Sequence, residues 1–595
     1  MVEGNEMRML SLMRAGLTRR QLLRGMGLSV AAVATTGLLA ACEVDDDTET
    51  EVVDDADDDE AAGVDLDDDH DDDHDDDAET DDEVVDDDDH DDHDDHADDD
   101  EAAADEDRPH IVVGMNSMIS DLDANSNASL VGFMTQYNIF EMLFRRDFLD
   151  SDPVGTGNTL EPGLATDWEF IDDTTLEVRL REDVTFHNGD HMDADDVVFT
   201  FERIFDQDIP ELSTARGDLG TISEVEKVDD YTVRFHTDGP DPLLEMRLAV
   251  RVSWIIPQNY YEEVGMDEFG LNPVGTGPYR VVSFTPDEEI VTEAFDDYWK
   301  ETPNLSGYTM RLIPETAARV SALASGEIHI ATALPPDQLE TVENTDGVHI
   351  KSVESLNFHM MRFNCHHPHV EDARIRRALC HAIDRQLLVD TLWFGEARVP
   401  AGHQFVDYPE HLTFDLELPY DPDLAMELME EAGYDDELIT FRVHPTYYTG
   451  YADAAQAIIE MWREVGFNAE IELTEEPWEA DEDAMVHNWS NSSHMADPAG
   501  AQWTNWGAGG PAQENFWDAP DEYNELGEEQ LRTIDDDRRS EIWERMNEIW
   551  LEERPGTPMY NPLESYGVSD NISWEPYSLP YFDFRNYNMI VHNDD

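Results

Sequence analysis

From residue 108 onward the chain alternates between two hydrophobic periods. Ile111-Val112-Val113 is a short apolar run of strand type, and TLEVRL at residues 175–180 alternates apolar and polar positions, the pattern of a strand with one buried face. Apolar residues three and four apart predict amphipathic helices over 194–205, 317–325, 373–388, 422–432, 452–465 and 538–551, and a further helix over 133–144. Asp193 and Asp421 stand where N-caps belong, and Gly433 stands where a helix C-cap is expected. Helices and strands interleave throughout, which predicts the α/β class. The 488 residues from 108 to 595 exceed what one core usually serves and predict two or more domains.

The first 42 residues read differently. Five arginines occur by residue 24, two of them adjacent at Arg19-Arg20, and residues 26–41 are apolar or small. Sixteen residues is short for a membrane span, which needs about 20. A basic region, a short apolar region and small residues make an export signal, and the arginine pair resembles the twin-arginine type. Leu39-Ala40-Ala41-Cys42 resembles a lipobox, which implies a lipid anchor on Cys42 and a location on the outer face of the cell membrane. Cys365 and Cys380 are the other two cysteines, too few for a disulfide framework.

Charge changes the picture next. Residues 43–107 hold 41 acids and no Lys or Arg, a composition that cannot bury enough apolar surface to offset its ordering entropy and so predicts a disordered stalk. His70, His74, His90, His93 and His96 punctuate it, readable as a weak metal-collecting tract or as plain spacer. The acidity continues into the body, where 98 acids face 30 bases and only three lysines, Lys227, Lys300 and Lys351, occur. Such a surface repels itself except in molar salt, where the Debye length falls to about 3 Å. The composition resembles that of an extreme halophile, of archaeal type. It argues against nucleic-acid binding, which needs a basic footprint.

A set of ordered segments then carries a resemblance. EPGLATDW at 161–168 leads through the 175–180 strand into LREDVTFHNG at 180–189 and DADDVVFTFER at 193–203. PVGTGPY at 273–279, Tyr298-Trp299, RVSAL at 319–323 with Gly326-Glu327-Ile328, and Phe363-Asn364 follow. RIRRAL at 374–379, AIDR at 382–385, Tyr420-Asp421-Pro422 and EAGY at 431–434 complete the series. Together they resemble the oligopeptide/dipeptide/nickel-binding family of ABC-transporter substrate-binding proteins. The resemblance implies a type II periplasmic-binding-protein fold: two α/β lobes, a hinge, an interlobe ligand cleft, and an extra domain inserted in the first lobe. The implied boundaries are 108–155, 268–356 and 559–595 for the first lobe, 156–267 for the insertion and 357–558 for the second lobe. It also implies capture of a peptide-like solute, delivery to an ABC permease driven by its ATPase subunits, no cofactor, no enzymatic activity and a monomer. From the residues alone, 275–278 (GTGP) read as a turn in which glycine permits positive φ. Arg374, Arg376 and Arg377 read as a solvated or ion-paired helix face.

In peptide-binding members an aspartate of the second lobe grips the peptide's amino group, between a tryptophan and an Asp-Pro pair. Here Trp489 and Asp497-Pro498 match, and the interval between them holds only Ser, Asn, His, Met and Ala. Either Asp497 takes the role, or the ligand lacks a free amino group there. Trp503 and Trp506 are candidates for stacking on a ligand. Tyr447 and Tyr448 lie where members place ligand contacts, and Ser126, Asn127 and Tyr137 are candidates from the first lobe. Nickel or another metal chelate, or a sugar, is the alternative ligand; Cys365-His366-His367-Pro368-His369 has soft-metal chemistry but falls in a loop. A secreted hydrolase is a remote alternative, since no Gly-x-Ser-x-Gly, His-Glu-x-x-His or P-loop occurs.

Overall fold

The computed structural model describes residues 108–592 except 127–128, 151–155 and 482. The export signal, Cys42, the acidic stalk with its histidines, and Asn127 lie outside the described residues. Three sheets organise the rest. A mixed seven-stranded sheet runs in the order Val348–Glu354, Leu563–Ser569, Ile330–Ala331, His110–Met115, Gly307–Leu312, Glu289–Ala294, Tyr279–Thr285. His110–Met115 is parallel to both of its neighbours. A five-stranded sheet has the order Ala469–Leu473, Ile439–Val443, Val486–Ser492, Asn357–Phe363, Gly556–Tyr560. The third, antiparallel and four-stranded, joins Ala165–Asp172, Thr175–Leu180, Thr232–Thr237 and Ile222–Asp229.

The chain passes between the two large sheets twice, at Ser355-Leu356 and at Asn561-Pro562. Asn561 fastens these crossings together: its Nδ2 donates to the carbonyls of Ser355 (3.4 Å) and Asn357 (3.3 Å). Its own backbone exchanges two hydrogen bonds with Arg398. The strand Asn357–Phe363 is buried along its whole length, and alternation divides it between two cores. Phe358 and Met360 pack with the core that also holds the first sheet and Trp506, Trp543 and Trp550; Met361 and Phe363 pack with Ile458 and Trp462 on the other side.

Most helices fall where the periodicity puts them. Ala194–Phe205 starts at Asp193, which forms a reciprocal capping box with Asp196, and Pro422–Ala432 runs from its Asp421 cap to Gly433 in left-handed conformation. Two expectations give way. The helix expected over 373–388 is two, Ala373–His381 and Arg385–Leu392, because the Asp384 carboxylate accepts the Leu387 N–H and starts a new helix. The helix expected over 133–144 is Leu130–Gln136 alone. Beyond it the carbonyls of Asn138 and Ile139 accept from Tyr279 and Gly277 instead of continuing the helix.

That contact also corrects the reading of 275–278. Gly275 and Gly277 are not in the positive-φ region. A Cβ would meet the Ile139 carbonyl oxygen at 2.1 Å from Gly275 and that of Asn138 at 2.3 Å from Gly277, so close backbone approach demands the glycines. Arg376 departs from the expected solvated face: it is buried, and its guanidinium donates to the carbonyls of Val370 (2.9 Å), Glu371 (2.7 Å) and Arg554 (3.1 Å). Arg374 is exposed and paired with Asp372. Cys365 and Cys380 are free thiols.

Candidate functional site

A small cavity of about 40 Å³ opens between the two large sheets. In open α/β sheets the carboxyl ends of parallel strands face a crevice, and the same rule places the polar groups here. Asn116 follows the strand His110–Met115, Thr332 and Ala333 follow Ile330–Ala331, and Tyr447, Tyr448 and Thr449 lie in the connection after Ile439–Val443. Leu130, Val131 and Met134 of the first helix supply an apolar wall. Asn357 and His359 enter from one strand that leaves the crossing, and Glu564 and Tyr566 from the other. The two sides touch across the gap, where Asn116 Nδ2 donates to the Tyr447 carbonyl at 3.5 Å.

Both rims are held stiffly. Ala333 has a φ of +49°, a conformation that costs a non-glycine residue on the order of 1 kcal/mol. The buried Arg319 fixes that turn by donating to the carbonyls of Thr332 (3.1 Å), Ala333 (3.2 Å), Ile313 (2.7 Å) and Pro314 (2.7 Å). Opposite, His444 Nδ1 accepts from the N–H groups of Thr446 (3.2 Å) and Tyr447 (2.9 Å), and its ring stacks on Trp478. Tyr447 and Tyr448 meet edge to face at 4.7 Å, and burial pushes the Tyr447 hydroxyl up to about 12.

Electrostatically the cavity is spare. Burial holds His359 down to about 3, so it is neutral, and its Nδ1 has no hydrogen-bond partner among the described residues. Asn357 accepts from Ser492 Oγ but its Nδ2 is unpartnered. Among the described residues, Glu564 is the one carboxylate lining the space.

Of the described residues singled out in the sequence, the structure brings Tyr447 and Tyr448 to this cavity and no others. Asp497 is 4% exposed; its Oδ1 accepts from the Ala499 N–H at 2.9 Å and its Oδ2 pairs with Arg539 at 2.6 Å. Both oxygens are engaged away from the cavity lining. Trp489 is half-buried beneath Arg362, whose guanidinium carbon lies 4.3 Å from its ring centroid and 4.2 Å from that of Phe516. Trp503 and Trp506 are core: Trp506 is fully buried against Trp517 and Trp550, and Trp503 fills a space that Gly507 and Gly527 leave open. Tyr137 is stacked on Tyr581 at 4.5 Å under the Arg585 guanidinium, and Ser126 donates to Asp121 across a turn whose middle residues are buried. Cys365, His366, His367 and His369 lie outside the cavity lining; burial pushes the Cys365 thiol up to about 12, and His366 pairs with Asp518. No cluster of three or more His, Cys, Asp or Glu suited to a metal occurs among the described residues.

Asn116, Asn357, His359, Glu564 and Tyr566 gave no sign in the sequence. Asn357 and His359 interrupt an apolar strand, which is a signal in retrospect, whereas one more glutamate in so acidic a chain carries none. A larger cavity of about 310 Å³ lies elsewhere, over the buried network in which Arg585 pairs with Glu141 (2.9 Å) and Asp583 (3.0 Å). Of its lining cations, Arg145 and Arg585 pair with acids, Arg146 donates to the carbonyls of Gly157 and Thr156, and Lys300 lies over the Tyr587 ring.

A sequence model of the family described as "Bacterial extracellular solute-binding proteins, family 5 Middle" matches residues 159–520. The chain belongs to this family. Among family relatives, the di/tripeptide-binding protein 1 of Pseudomonas aeruginosa is 26% identical over 467 residues, covering 72% of this chain and 84% of its own. A periplasmic binding protein of an ABC transporter from Helicobacter pylori, solved with the peptide STSA, superposes with a TM-score of 0.73 at 21% identity, covering 82% of this chain and 99% of that one. A Staphylococcus aureus protein solved with Ni(L-His)2 superposes with a TM-score of 0.70 at 18% identity, covering 81% and 100%. These likenesses identify the two-lobed type II binding-protein fold, so the cavity between the large sheets is the interlobe cleft of a solute-binding protein. The family is one of binders rather than enzymes.

Proposed function

We propose that this solute-binding protein captures a peptide-like solute in the cleft between its lobes and passes it to an ABC permease. The observation that carries the reading is the cleft itself, lined from both lobes and bridged from Asn116 to Tyr447. A ligand favours closure only through differential contact with the closed form, and groups from both lobes supply it. A space of about 40 Å³ holds water rather than a dipeptide, so loading requires the lobes to part at the two crossings. Relatives named for di- and tripeptide binding support the ligand class. The metal-chelate alternative has the support of a neighbour bound to Ni(L-His)2, but the Cys365–His369 segment is remote from the cleft lining.

The strand order supports a second lobe that begins at Asn357; the expected end at 558 moves to 561–562, because the strand Gly556–Tyr560 pairs within the five-stranded sheet. The lipobox at Cys42 and the twin-arginine pair support export and lipid anchoring, with the acidic stretch as spacer. No helix among the described residues is long and apolar enough to cross a membrane. The acidic body supports operation in molar salt.

A thermal-shift screen of the full chain in molar KCl tests the ligand class, with di- to pentapeptides, sugars and Ni(II) chelates as probes. A ligand at a hundred times its Kd adds about 2.7 kcal/mol to the folded state. Stabilisation by peptides supports the reading; stabilisation by a sugar or chelate with none by peptides overturns it.

A further inference from the structure

The family's amino-gripping aspartate is missing from 490–496, and Asp497 is spent on Arg539. We propose that Glu564, from the first lobe beside the hinge, is the receptor for a ligand ammonium group, so that the cleft selects solutes bearing a free amine. The inference rests on the peptide reading above and names the group that would enforce it.

Three observations support it. Glu564 lies three residues beyond Asn561, whose amide fastens both crossing strands, so its backbone position is fixed where the lobes meet. Alternation along Leu563–Ser569 gives Glu564 and Tyr566 one face and turns Ser565 to the other, where its Oγ pairs with Ser352 Oγ at 2.8 Å. Among the described residues the Glu564 carboxylate has neither an ion pair nor a hydrogen bond. Most buried carboxylates of this protein are matched: Asp241 with Arg247, Asp218 with Arg251, Asp583 with Arg585. Among the described residues no Lys or Arg lines the cleft, and His359 is neutral. Glu564 is half-buried, and desolvation by its surroundings lifts its carboxyl to about 7.

A primary ammonium supplies what the site lacks: one positive charge and three donors, against a carboxylate with up to four acceptor positions. Asn357 Nδ2 and His359 Nδ1, the unpartnered neighbours, are then placed to meet the adjoining polar backbone of an extended ligand. Molar salt screens exposed charge but screens a partly desolvated pair less, so a half-buried carboxylate in the cleft discriminates where surface charge does not. No other carboxylate among the described residues lines the cleft.

The test is calorimetric titration of the full chain in molar KCl at pH 8, with a free-amine tripeptide and its N-acetyl form, against wild type, Glu564→Gln and Glu564→Asp. Wild type is expected to prefer the free amine by at least about 30-fold, as for loss of one partner of a buried charged pair. Glu564→Gln should erase the preference while still binding the acetylated peptide, and Glu564→Asp should keep part of it. Thermal melts without peptide check folding, and the glutamine variant should melt no lower than wild type because a poorly solvated charge is gone. If wild type prefers the free amine and Glu564→Gln keeps that preference, Glu564 is not the receptor and the peptide reading stands. Equal binding of both peptides by wild type also overturns the amine anchor alone. Binding of neither peptide overturns the peptide reading, and this inference falls with it.

Discussion

Asp497→Ala separates a structural role for this residue from a ligand-gripping one. Its Oδ2 and Arg539 Nη2 lie 2.6 Å apart, and the two residues are 4% and 3% exposed. Truncation leaves the guanidinium buried without its anion, which costs about 3–5 kcal/mol. It also removes the cap on Ala499, worth about 1 kcal/mol. The expected loss of about 4–6 kcal/mol is a large share of a typical total of 5–15 kcal/mol. Burial lifts the Asp497 carboxyl above the usual carboxylate range despite Arg539, so the pair is expensive to bury in the first place. Asp497→Leu with Arg539→Met should therefore recover most of the loss. Urea unfolding followed by tryptophan fluorescence, in molar KCl and without peptide, gives both numbers. An Asp497→Ala protein that unfolds with wild-type free energy yet no longer binds peptide would refute this account and restore Asp497 as the amino grip.

Further outcomes are open to measurement. Burial pushes the Asp407 carboxyl up to about 7, with Arg146 opposing and Asp497 adding to the shift. The unfolded chain releases that proton near pH 4, so between about pH 4 and 7 the native state holds more protons and stability falls as pH rises. Asp407→Asn should stabilise by up to about 4 kcal/mol above pH 7 and by nothing near pH 4, read from melting temperature against pH. Gly277→Ala should destabilise by about 3 kcal/mol in the same urea assay, because its Cβ meets backbone that cannot yield. Asn561→Ala removes two hydrogen bonds between the crossings and should cost about 1–2 kcal/mol, with faster amide exchange at Leu356, whose N–H donates to the Ser578 carbonyl.

How much could be read beforehand differs between scaffold and site. Helix 194–205 and helix 422–432 were legible to the residue because periodicity, cap and dipole chemistry agree there. Helix 373–388 was legible only as a region, since the Asp384 cap interrupts a stripe that stays apolar on both sides. Arg376 read as part of a solvated or ion-paired face, yet it is buried and binds carbonyls, as Arg319 does, a role that tertiary structure alone reveals. Tyr447 and Tyr448 reached the cleft because they follow a strand whose carboxyl end faces it. Trp503 and Trp506 did not, since an indole beside a motif has the same sequence signature whether it faces solute or core. Glu564 was invisible for a different reason: its distinction is the lack of a partner, and pairing is not written in one-dimensional order.

The return crossing at 561–562 also bears on how the molecule is made. The strand Leu563–Ser569 is not appended to the edge of the first sheet; it lies between Val348–Glu354 and Ile330–Ala331. Synthesis from the N-terminus therefore delivers the second lobe's five strands before the first lobe can close its sheet. Arg585 and Asp583, which complete the network with Glu141, arrive later still. Contacts spanning more than 400 residues are slow to form, because loop-closure entropy must be met before they contribute. The first lobe is thus expected to mature only after the chain is released, with the second lobe already collapsed beside it. A nascent chain stalled before residue 563 should show protease-resistant second-lobe fragments and a digestible first lobe.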